Sequence, residues 1–259
     1  MLRQYADWQP RAVEYAVIAK AAYGNPGGQE PPDRFIVSVQ VFGSASKAYV
    51  FRTDDQRRQD RIAIEGTTQD WRDFEIDANA RPRPDARLGI VTHPGFAAVA
   101  DAVYVDLVTN GRLKPGYSVG LTGHSLGGAA AVLLAMQLDR RGVAVDEVVT
   151  FGQPMATDAA GVGMYRTLMS RTLRVVACDD MIPLLPPSGY ASGGQVLLLL
   201  DGARFEFASD DASISAFMKT RLTSSVSGHR MDTYQERLGM RRTEPVLYSA
   251  LDQRYCSGT

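Results

Sequence analysis

Short apolar runs recur along the chain, separated by stretches in which apolar side chains fall at helical spacing. The runs predict buried strands, because strands covered on both faces are apolar throughout. The predicted strands cover 35–42, 47–53, 61–65, 117–121, 145–151, 173–178, 195–200 and 204–207. The predicted helices cover 11–23, 97–110, 158–170 and the stretch that follows Ser125. This alternation indicates an α/β fold with a central, mostly parallel sheet and helices on both faces.

The margins of the predicted sheet have antiparallel character. The strands at 35–42 and 47–53 are joined by a short turn containing Gly43 and two serines, which predicts an antiparallel hairpin at one edge. The strands at 195–200 and 204–207 predict an antiparallel end to the sheet as well.

The chain is organised around the pentapeptide Gly123-His124-Ser125-Leu126-Gly127, which lies between a predicted strand and a helix rich in Ala and Leu. A serine on such a sharp turn is the nucleophile elbow of an α/β-hydrolase. Gly123 and Gly127 supply the room that the strained turn needs, and the Leu126 N–H is expected to stabilise an oxyanion. The same pentapeptide also occurs by chance, but the flanking strand and helix favour catalysis.

A second oxyanion donor is predicted upstream of the elbow. The strand at 61–65 runs directly into Gly66 and Thr67, and the loop after this strand is expected to lie over the elbow. Thr67 offers both a backbone N–H and a hydroxyl. The alternative is an ordinary turn threonine.

The chain has three histidines that compete for the role of general base. In α/β-hydrolases the nucleophile comes first along the chain, the acid second and the histidine third. His93 precedes Ser125 and His124 adjoins it, so His229 is the remaining candidate.

The residues define the acid of the triad less sharply. Several aspartates lie between Ser125 and His229, namely Asp146, Asp158, Asp179, Asp180, Asp201, Asp210 and Asp211. Asp179 and Asp180 follow a strongly apolar strand and precede a proline turn, and a triad acid belongs at the carboxyl end of a parallel strand. The pattern leaves the choice between these two open.

Composition narrows the function classes. Of the 259 residues, 45% are hydrophobic and 22% are charged, and the formal net charge is −1. This profile is that of a globular enzyme and carries no electrostatic footprint for nucleic acid. Cys178 and Cys256 make no disulfide framework, although one disulfide stays open, and the histidines show no zinc spacing. We expect no metal and no organic cofactor.

The amino terminus and the loops suggest a cellular location and a domain organisation for the protein. The amino terminus lacks the apolar core of a secretory signal, and no apolar run is long enough for a transmembrane segment. We expect a cytoplasmic location, or export without a general-secretion signal peptide. We interpret residues 1–259 as a single domain and the polar, proline-rich stretch within 68–90 as a candidate lid.

In this order, the motifs resemble the class 3 lipase family of α/β-hydrolases, which includes the filamentous fungal triacylglycerol lipases. The resemblance rests on AKAAYG at 19–24, EGTTQDW at 65–71, THPGF at 92–96, GHSLGGAAA at 123–131, TFGQP at 150–154, RVVACDDMIPLLPP at 174–187 and GHRMDTY at 228–234. It implies Ser125 as nucleophile, Asp180 as acid and His229 as base. It also implies Thr67 and the Leu126 N–H as oxyanion donors.

The function implied by this resemblance is a serine carboxylic-ester hydrolase that cleaves acylglycerols or related lipids through an acyl-enzyme. The implied partners are a lipid or small ester substrate and a transient lipid interface. Esterase, lipase and phospholipase, the last including a secreted effector, all need the same triad. Glu65 departs from the family pattern, in which an arginine is common there. The rival from another class is a non-catalytic α/β-hydrolase used as a binding module.

Overall fold

A mixed, eight-stranded sheet is the centre of a computed structural model of the chain, which describes residues 2–24, 39–41, 45–67, 80–186, 188–200, 204–208, 227–240 and 244–245. The strands are β1 (Val39–Val41), β2 (Ala45–Lys47), β3 (Tyr49–Asp54), β4 (Gln59–Ile64), β5 (Arg83–Asp85), β6 (Ile90–Thr92), β7 (Ser118–His124), β8 (Val145–Phe151), β9 (Thr172–Ala177), β10 (Gln195–Leu199), β11 (Arg204–Ala208) and β12 (Glu244–Pro245). The helices are α1 (Leu2–Ala21), α2 (Pro94–Thr109), α3 (Leu126–Arg140), α4 (Ala159–Met164), α5 (Arg166–Met169) and α6 (Met231–Gly239). Short 3₁₀ turns cover Ile182–Leu184 and Ser227–His229.

The strand order in the large sheet is β12-β11-β10-β9-β8-β7-β4-β3. Pairing is parallel except between β3 and β4 and between β10 and β11. The carboxyl ends of β4, β7, β8 and β9 therefore point the same way, and the loops that follow these strands meet there. We call this end of the strands the carboxyl edge. This edge carries the predicted site residues.

Helices cover both faces of the sheet because the central strands are apolar on both sides. Along β7, Val119 and Leu121 join the core formed with α2 and α3, whereas Gly120 lies against Tyr15 of α1. Helix α6 packs beside α1 on that second face, where its Tyr234 shares a core with α1 and β8. Each Val or Leu side chain buried in these cores contributes roughly 1.5–3 kcal/mol of transfer free energy.

The predicted fold class is confirmed: a mostly parallel sheet, helices on both faces and an antiparallel hairpin at one edge. The predicted strand at 145–151 has the bounds of β8, and the predicted antiparallel end is the β10–β11 pair. Helix α1 begins at Leu2 rather than at residue 11. The helix predicted over 158–170 is divided into α4 and α5.

The position of the edge hairpin was predicted wrongly. Strands β1 and β2 pair with each other in a separate two-stranded sheet, and the edge hairpin is β3 with β4. Its polar turn, 55–58, is closed by the Asp54 carboxylate, which accepts from the Arg57 N–H, and by Arg58 at a φ of 53°. The sequence analysis predicted no pairing across this polar run, although a turn of this length is enough to reverse a strand.

The stretch proposed as a lid is only partly described. Residues 68–79 lie outside the described residues, whereas β5 and β6 form a short antiparallel hairpin that the sequence did not predict. Cys178, buried just after β9, is disulfide-bonded, and Cys256 lies outside the described residues. Among the helices in the described ranges, none has the length and apolar character needed to cross a membrane.

Candidate active site

The turn between β7 and α3 holds Ser125 in a strained conformation, with φ 57° and ψ −130°. A Cβ on Gly123 would lie 2.3 Å from the Gly127 carbonyl carbon, and a Cβ on Gly127 would lie 2.1 Å from the Ile64 carbonyl oxygen. Both distances are far below van der Waals contact, so only glycine fits at either position. The Ser125 N–H donates to the Phe151 carbonyl at 2.9 Å, which anchors the turn to β8.

Ser125, His229 and Asp180 form one continuous hydrogen-bonded chain. His229 Nε2 lies 2.8 Å from Ser125 Oγ, and His229 Nδ1 lies 2.8 Å from Asp180 Oδ2. A carboxylate only accepts, so Nδ1 carries the proton and Nε2 accepts from the serine hydroxyl. The three residues come from the loops after β7, after β9 and before α6, and they meet at the carboxyl edge of the sheet.

Asp180 is fully buried, and both of its oxygens are bonded. Oδ2 accepts from the Tyr234 hydroxyl at 2.5 Å in addition to His229, and Oδ1 accepts from the Ile182 N–H at 2.9 Å. The Tyr234 hydroxyl in turn accepts from the Ala177 N–H at 3.1 Å. Burial and then the neighbouring Asp180 charge raise the pKa of Tyr234 well above its ordinary value, so its hydroxyl stays protonated and donates.

The neighbouring Asp179 has a different role in this geometry. Arg237 of α6 binds it with two nitrogens, at 2.7 Å and 3.1 Å. A Cβ on Gly228, the residue before His229, would lie 2.2 Å from Asp179 Oδ1. Asp179 therefore ties the acid loop to the histidine loop, and Asp180 is the aspartate that faces the imidazole.

Gly152, just after β8, leaves the space that the triad occupies. Its φ is 55°, and an added Cβ would lie 2.7 Å from Asp180 Oδ2 and 3.0 Å from His229 Nδ1. Glycine is required here both by the backbone conformation and by the contact. In the sequence, Gly152 was recognisable only as part of the matching segment TFGQP at 150–154.

A buried, uncharged relay lies behind the triad. His124 Nε2 is 2.6 Å from the His229 carbonyl oxygen, and His124 Nδ1 is 2.7 Å from the Tyr23 hydroxyl. Because a carbonyl only accepts, Nε2 carries the proton and Tyr23 donates to Nδ1. Burial and the nearby His229 lower the pKa of His124 well below its ordinary value, which keeps it neutral.

The third histidine has a local structural role. His93 is the N-cap of α2: its Nδ1 accepts from the Phe96 N–H at 3.4 Å, and its ring stacks on Phe96 at 3.9 Å. It is buried, and its hydrogen bond satisfies one of the unpaired N–H groups at the start of the helix. His93 therefore caps a helix and takes no part in the triad, as its place before Ser125 in the chain predicted.

The predicted oxyanion donors follow two neighbouring strands, Leu126 after β7 and Thr67 after β4. Leu126 is the first residue of α3, where N–H groups point out of the helix end. Thr67 is half-buried and follows Gly66, whose Cα faces the elbow: an added Cβ there would lie 2.5 Å from the His124 carbonyl oxygen. The residues predicted from the sequence are thus gathered at one place, and Tyr23, Gly152 and Asp179 are additions from the structure.

Comparisons with known proteins agree with this arrangement. Residues 62–190, about half of the chain, match the family described as Lipase (class 3). A lipase from Rhizomucor miehei is 30% identical over 125 residues, which cover 44% of this chain and 34% of the relative. The secreted mono- and diacylglycerol lipase 1 of Fusarium solani is 28% identical over 162 residues, which cover 60% of this chain and 48% of the relative. The chain thus spans between a third and a half of the length of these relatives.

The solved structures extend the likeness of fold beyond the family match. The crystal structure of a lipase from Rhizopus microsporus var. chinensis has a TM-score of 0.64 and 24% identity, and the match covers 75% of this chain and 75% of that one. The fold is that of the α/β-hydrolases. With its family match and its elbow geometry, the chain belongs to the class 3 lipase family.

Proposed function

We propose that the chain is a serine ester hydrolase that cleaves acylglycerols or related lipid esters through a Ser125–His229–Asp180 triad. The observation that carries this proposal is the pair of 2.8 Å contacts that place His229 between the serine hydroxyl and the buried carboxylate. A serine is a weak nucleophile until a base takes its proton, and this geometry provides the base and its orienting acid.

In the proposed acylation step, Ser125 Oγ attacks the ester carbonyl carbon while its proton passes to His229 Nε2. The C=O π electrons move onto the carbonyl oxygen, which the N–H groups of Thr67 and Leu126 stabilise. Asp180 holds the imidazole in the correct tautomer and stabilises the imidazolium. Collapse of the tetrahedral intermediate breaks the bond to the alcohol oxygen, and the imidazolium returns the proton to the departing alcohol.

Deacylation repeats these steps with water. His229 takes a proton from water as the water oxygen attacks the acyl-serine carbonyl, and collapse returns the proton to Ser125 Oγ. The fatty acid leaves and the resting hydrogen bonds are restored. Every proton is carried by His229, so the reaction needs no group beyond the triad, the oxyanion donors and water.

The substrate class is proposed from the family and from the names of the relatives, which are lipases. Such substrates are poorly soluble, so we expect transient contact between a lipid surface and the carboxyl edge of the sheet. Short-chain esters and phospholipids need the same chemistry at Ser125. The acyl chain and the head group therefore have to be tested separately from the triad.

The test compares wild type with Ser125→Ala on p-nitrophenyl esters from acetate to palmitate, on emulsified diacylglycerol and on phosphatidylcholine vesicles. We expect ester hydrolysis in the wild type and a loss of about 10⁴- to 10⁶-fold in the variant. Ser118→Ala, at the start of β7, the strand that leads into the elbow, is the matched control and should retain full activity.

Each result separates one alternative. A wild type that is inert on all of these esters, and whose Ser125 is not labelled by a fluorophosphonate, would overturn the enzyme proposal in favour of a binding module. Phosphatidylcholine hydrolysis well above that of diacylglycerol would replace the acylglycerol assignment by a phospholipase and leave the triad in place. Cleavage of peptide amides instead of esters would indicate a protease.

A further inference from the structure

Lys47 lies beside the loop of the proposed oxyanion donor Thr67. The β3–β4 ladder pairs Tyr49 with Ile64, and it continues one residue further, because the Glu65 N–H donates to the Ala48 carbonyl at 2.9 Å. The next two residues to face each other are Lys47, at the end of β2, and Gly66, in the loop after β4. Lys47 Nζ donates to the Gly66 carbonyl at 2.7 Å.

The elbow and Lys47 lie next to the two strands that flank β4 on opposite sides. In the sheet, β4 lies between β3 and β7. Lys47 comes from the β3 side, whereas Ser125 follows β7. In a trans peptide the C=O and the next N–H point in opposite directions, so a carbonyl held by Lys47 directs the Thr67 N–H away from Lys47.

The remaining groups of Gly66 are fixed as well. Its N–H is hydrogen-bonded to the Tyr23 hydroxyl, and no Cβ fits at this position, because it would lie 2.1 Å from that oxygen. Tyr23 is held in turn by His124. The peptide on one side of Gly66 is thus tied to the relay behind the triad, and the peptide on the other side is tied to Lys47.

The ammonium group adds charge to this contact. Lys47 is half-buried; burial lowers its pKa, and the nearby Glu65 carboxylate offsets part of that effect. The Glu65 carboxylate itself accepts from the Ala48 N–H at 2.8 Å. A cation on a carbonyl oxygen draws electrons from the amide and makes its N–H a stronger donor, as hydrogen bonds in a chain polarise one another.

We propose that Lys47 is a positioning residue for the oxyanion hole: its ammonium group holds the Gly66 carbonyl and thereby aims the Thr67 N–H at the carbonyl oxygen of a substrate on Ser125. This inference rests on the proposed ester hydrolysis. It assigns Lys47 no contact with the substrate, so its effect should fall on the transition state and not on ground-state binding.

The test uses Lys47→Met, Lys47→Gln and Lys47→Arg in the full chain. The measurements are kcat and KM on p-nitrophenyl butyrate, the rate of Ser125 phosphonylation by a p-nitrophenyl phosphonate, and the thermal midpoint. Loss of a whole oxyanion donor lowers kcat by 10²- to 10³-fold, so a misaimed donor should lower it by about 10-fold. We expect that loss in Lys47→Met with KM unchanged, an intermediate value in Lys47→Gln and near-complete rescue in Lys47→Arg.

Lys114→Met is the matched control, because Lys114 is bonded to Asp55 at the opposite end of the sheet. It should keep wild-type kcat and phosphonylation rate. The inference is overturned if Lys47→Met behaves like Lys114→Met, or if Lys47→Arg shows the same kcat loss as Lys47→Met. A wild type that neither hydrolyses the ester nor reacts with the phosphonate would contradict the proposed function itself, which is a different result.

Discussion

Asp180 and Asp55 have similar partners at opposite ends of the sheet, and burial is what separates them. At the carboxyl edge, Asp180 accepts from the Tyr234 hydroxyl at 2.5 Å and from His229 Nδ1 at 2.8 Å. At the amino edge, where β4 and β7 begin, Asp55 accepts from the Tyr117 hydroxyl at 2.9 Å and from the Lys114 ammonium group at 2.7 Å. In both sites a single carboxylate oxygen thus accepts from one tyrosine hydroxyl and one side-chain nitrogen.

Their exposure differs completely. Asp180 is 0% exposed, whereas the Asp55 side chain is 68% exposed and its partner Lys114 is 45% exposed. In the interior, hydrogen bonds to a carboxylate are strong and a missing partner is not replaced by water. At the surface, water and ions screen the same contacts, and the pair contributes little. Only the buried aspartate can therefore orient an imidazole and stabilise its charged form.

The largest expected effect follows from replacing each carboxylate by an amide. Asp180→Asn should lower kcat on a p-nitrophenyl ester by about 10⁴-fold, because its amide can donate to Nδ1 and favour the wrong imidazole tautomer. Asp55→Asn should leave kcat unchanged. Steady-state kinetics on both variants, with circular dichroism to verify folding, checks this. A loss of similar size in both variants, or in neither, would remove the distinction drawn between the two ends.

The next effect concerns two glycines with positive φ. Gly152, at 55°, has the triad within 3 Å of an added Cβ, whereas Gly142, at 78°, has nothing within 4 Å. Alanine at either position brings the left-handed backbone strain of roughly 1–2 kcal/mol. Gly152→Ala should in addition displace Asp180 or His229 and lower kcat by about 10²-fold.

Thermal unfolding and kcat of Gly152→Ala and Gly142→Ala separate the two contributions. Both variants should have a lower thermal midpoint than the wild type, because the backbone strain is common to both. The kcat loss should belong to Gly152→Ala alone. If Gly142→Ala loses as much kcat, the effect comes from strain and not from the space beside the triad.

The elbow could be predicted from the sequence because its physics is local. Strand, glycine, serine, glycine and helix are contiguous between 117 and 140, and the steric need for Gly123 arises within the turn itself, against Gly127. The need for Gly127 arises against Ile64 of the neighbouring β4, but the spacing of the pentapeptide already marks that position. Chain order was then enough to select His229. The apolar runs were likewise enough to predict the central strands, as β8 shows.

The rest depended on contacts between distant residues. Asp179 and Asp180 are adjacent, and the residue pattern alone left the choice between them open. The family resemblance implied Asp180, and the contacts with Arg237 and His229 show the physical difference. The role of Lys47 depends on the register between β3 and β4, and the sequence predicted no pairing between these two strands. Gly152 stood in a matching segment, but it faces Asp180 and His229, which lie much further along the chain.

The smallest expected effect on kcat follows from removing the tyrosine hydroxyl that contacts each aspartate. Tyr234 is fully buried; its hydroxyl donates to Asp180 and accepts from the Ala177 N–H. Tyr234→Phe leaves that buried N–H without its partner, which should lower the free energy of unfolding by about 1–3 kcal/mol. The fall in kcat should be less than about 10-fold, because the Ile182 N–H and His229 still hold Asp180.

Tyr117→Phe is the matched change at the amino edge, where water can replace the hydroxyl that Asp55 loses. Its unfolding curve in urea should overlay that of the wild type, and its kcat should not change. Equal destabilisation by the two variants would mean that the hydroxyl contact matters irrespective of burial. A loss confined to Tyr234→Phe, with the larger part in stability and the smaller part in kcat, would show that Tyr234 supports the buried acid while His229 carries out the proton transfer.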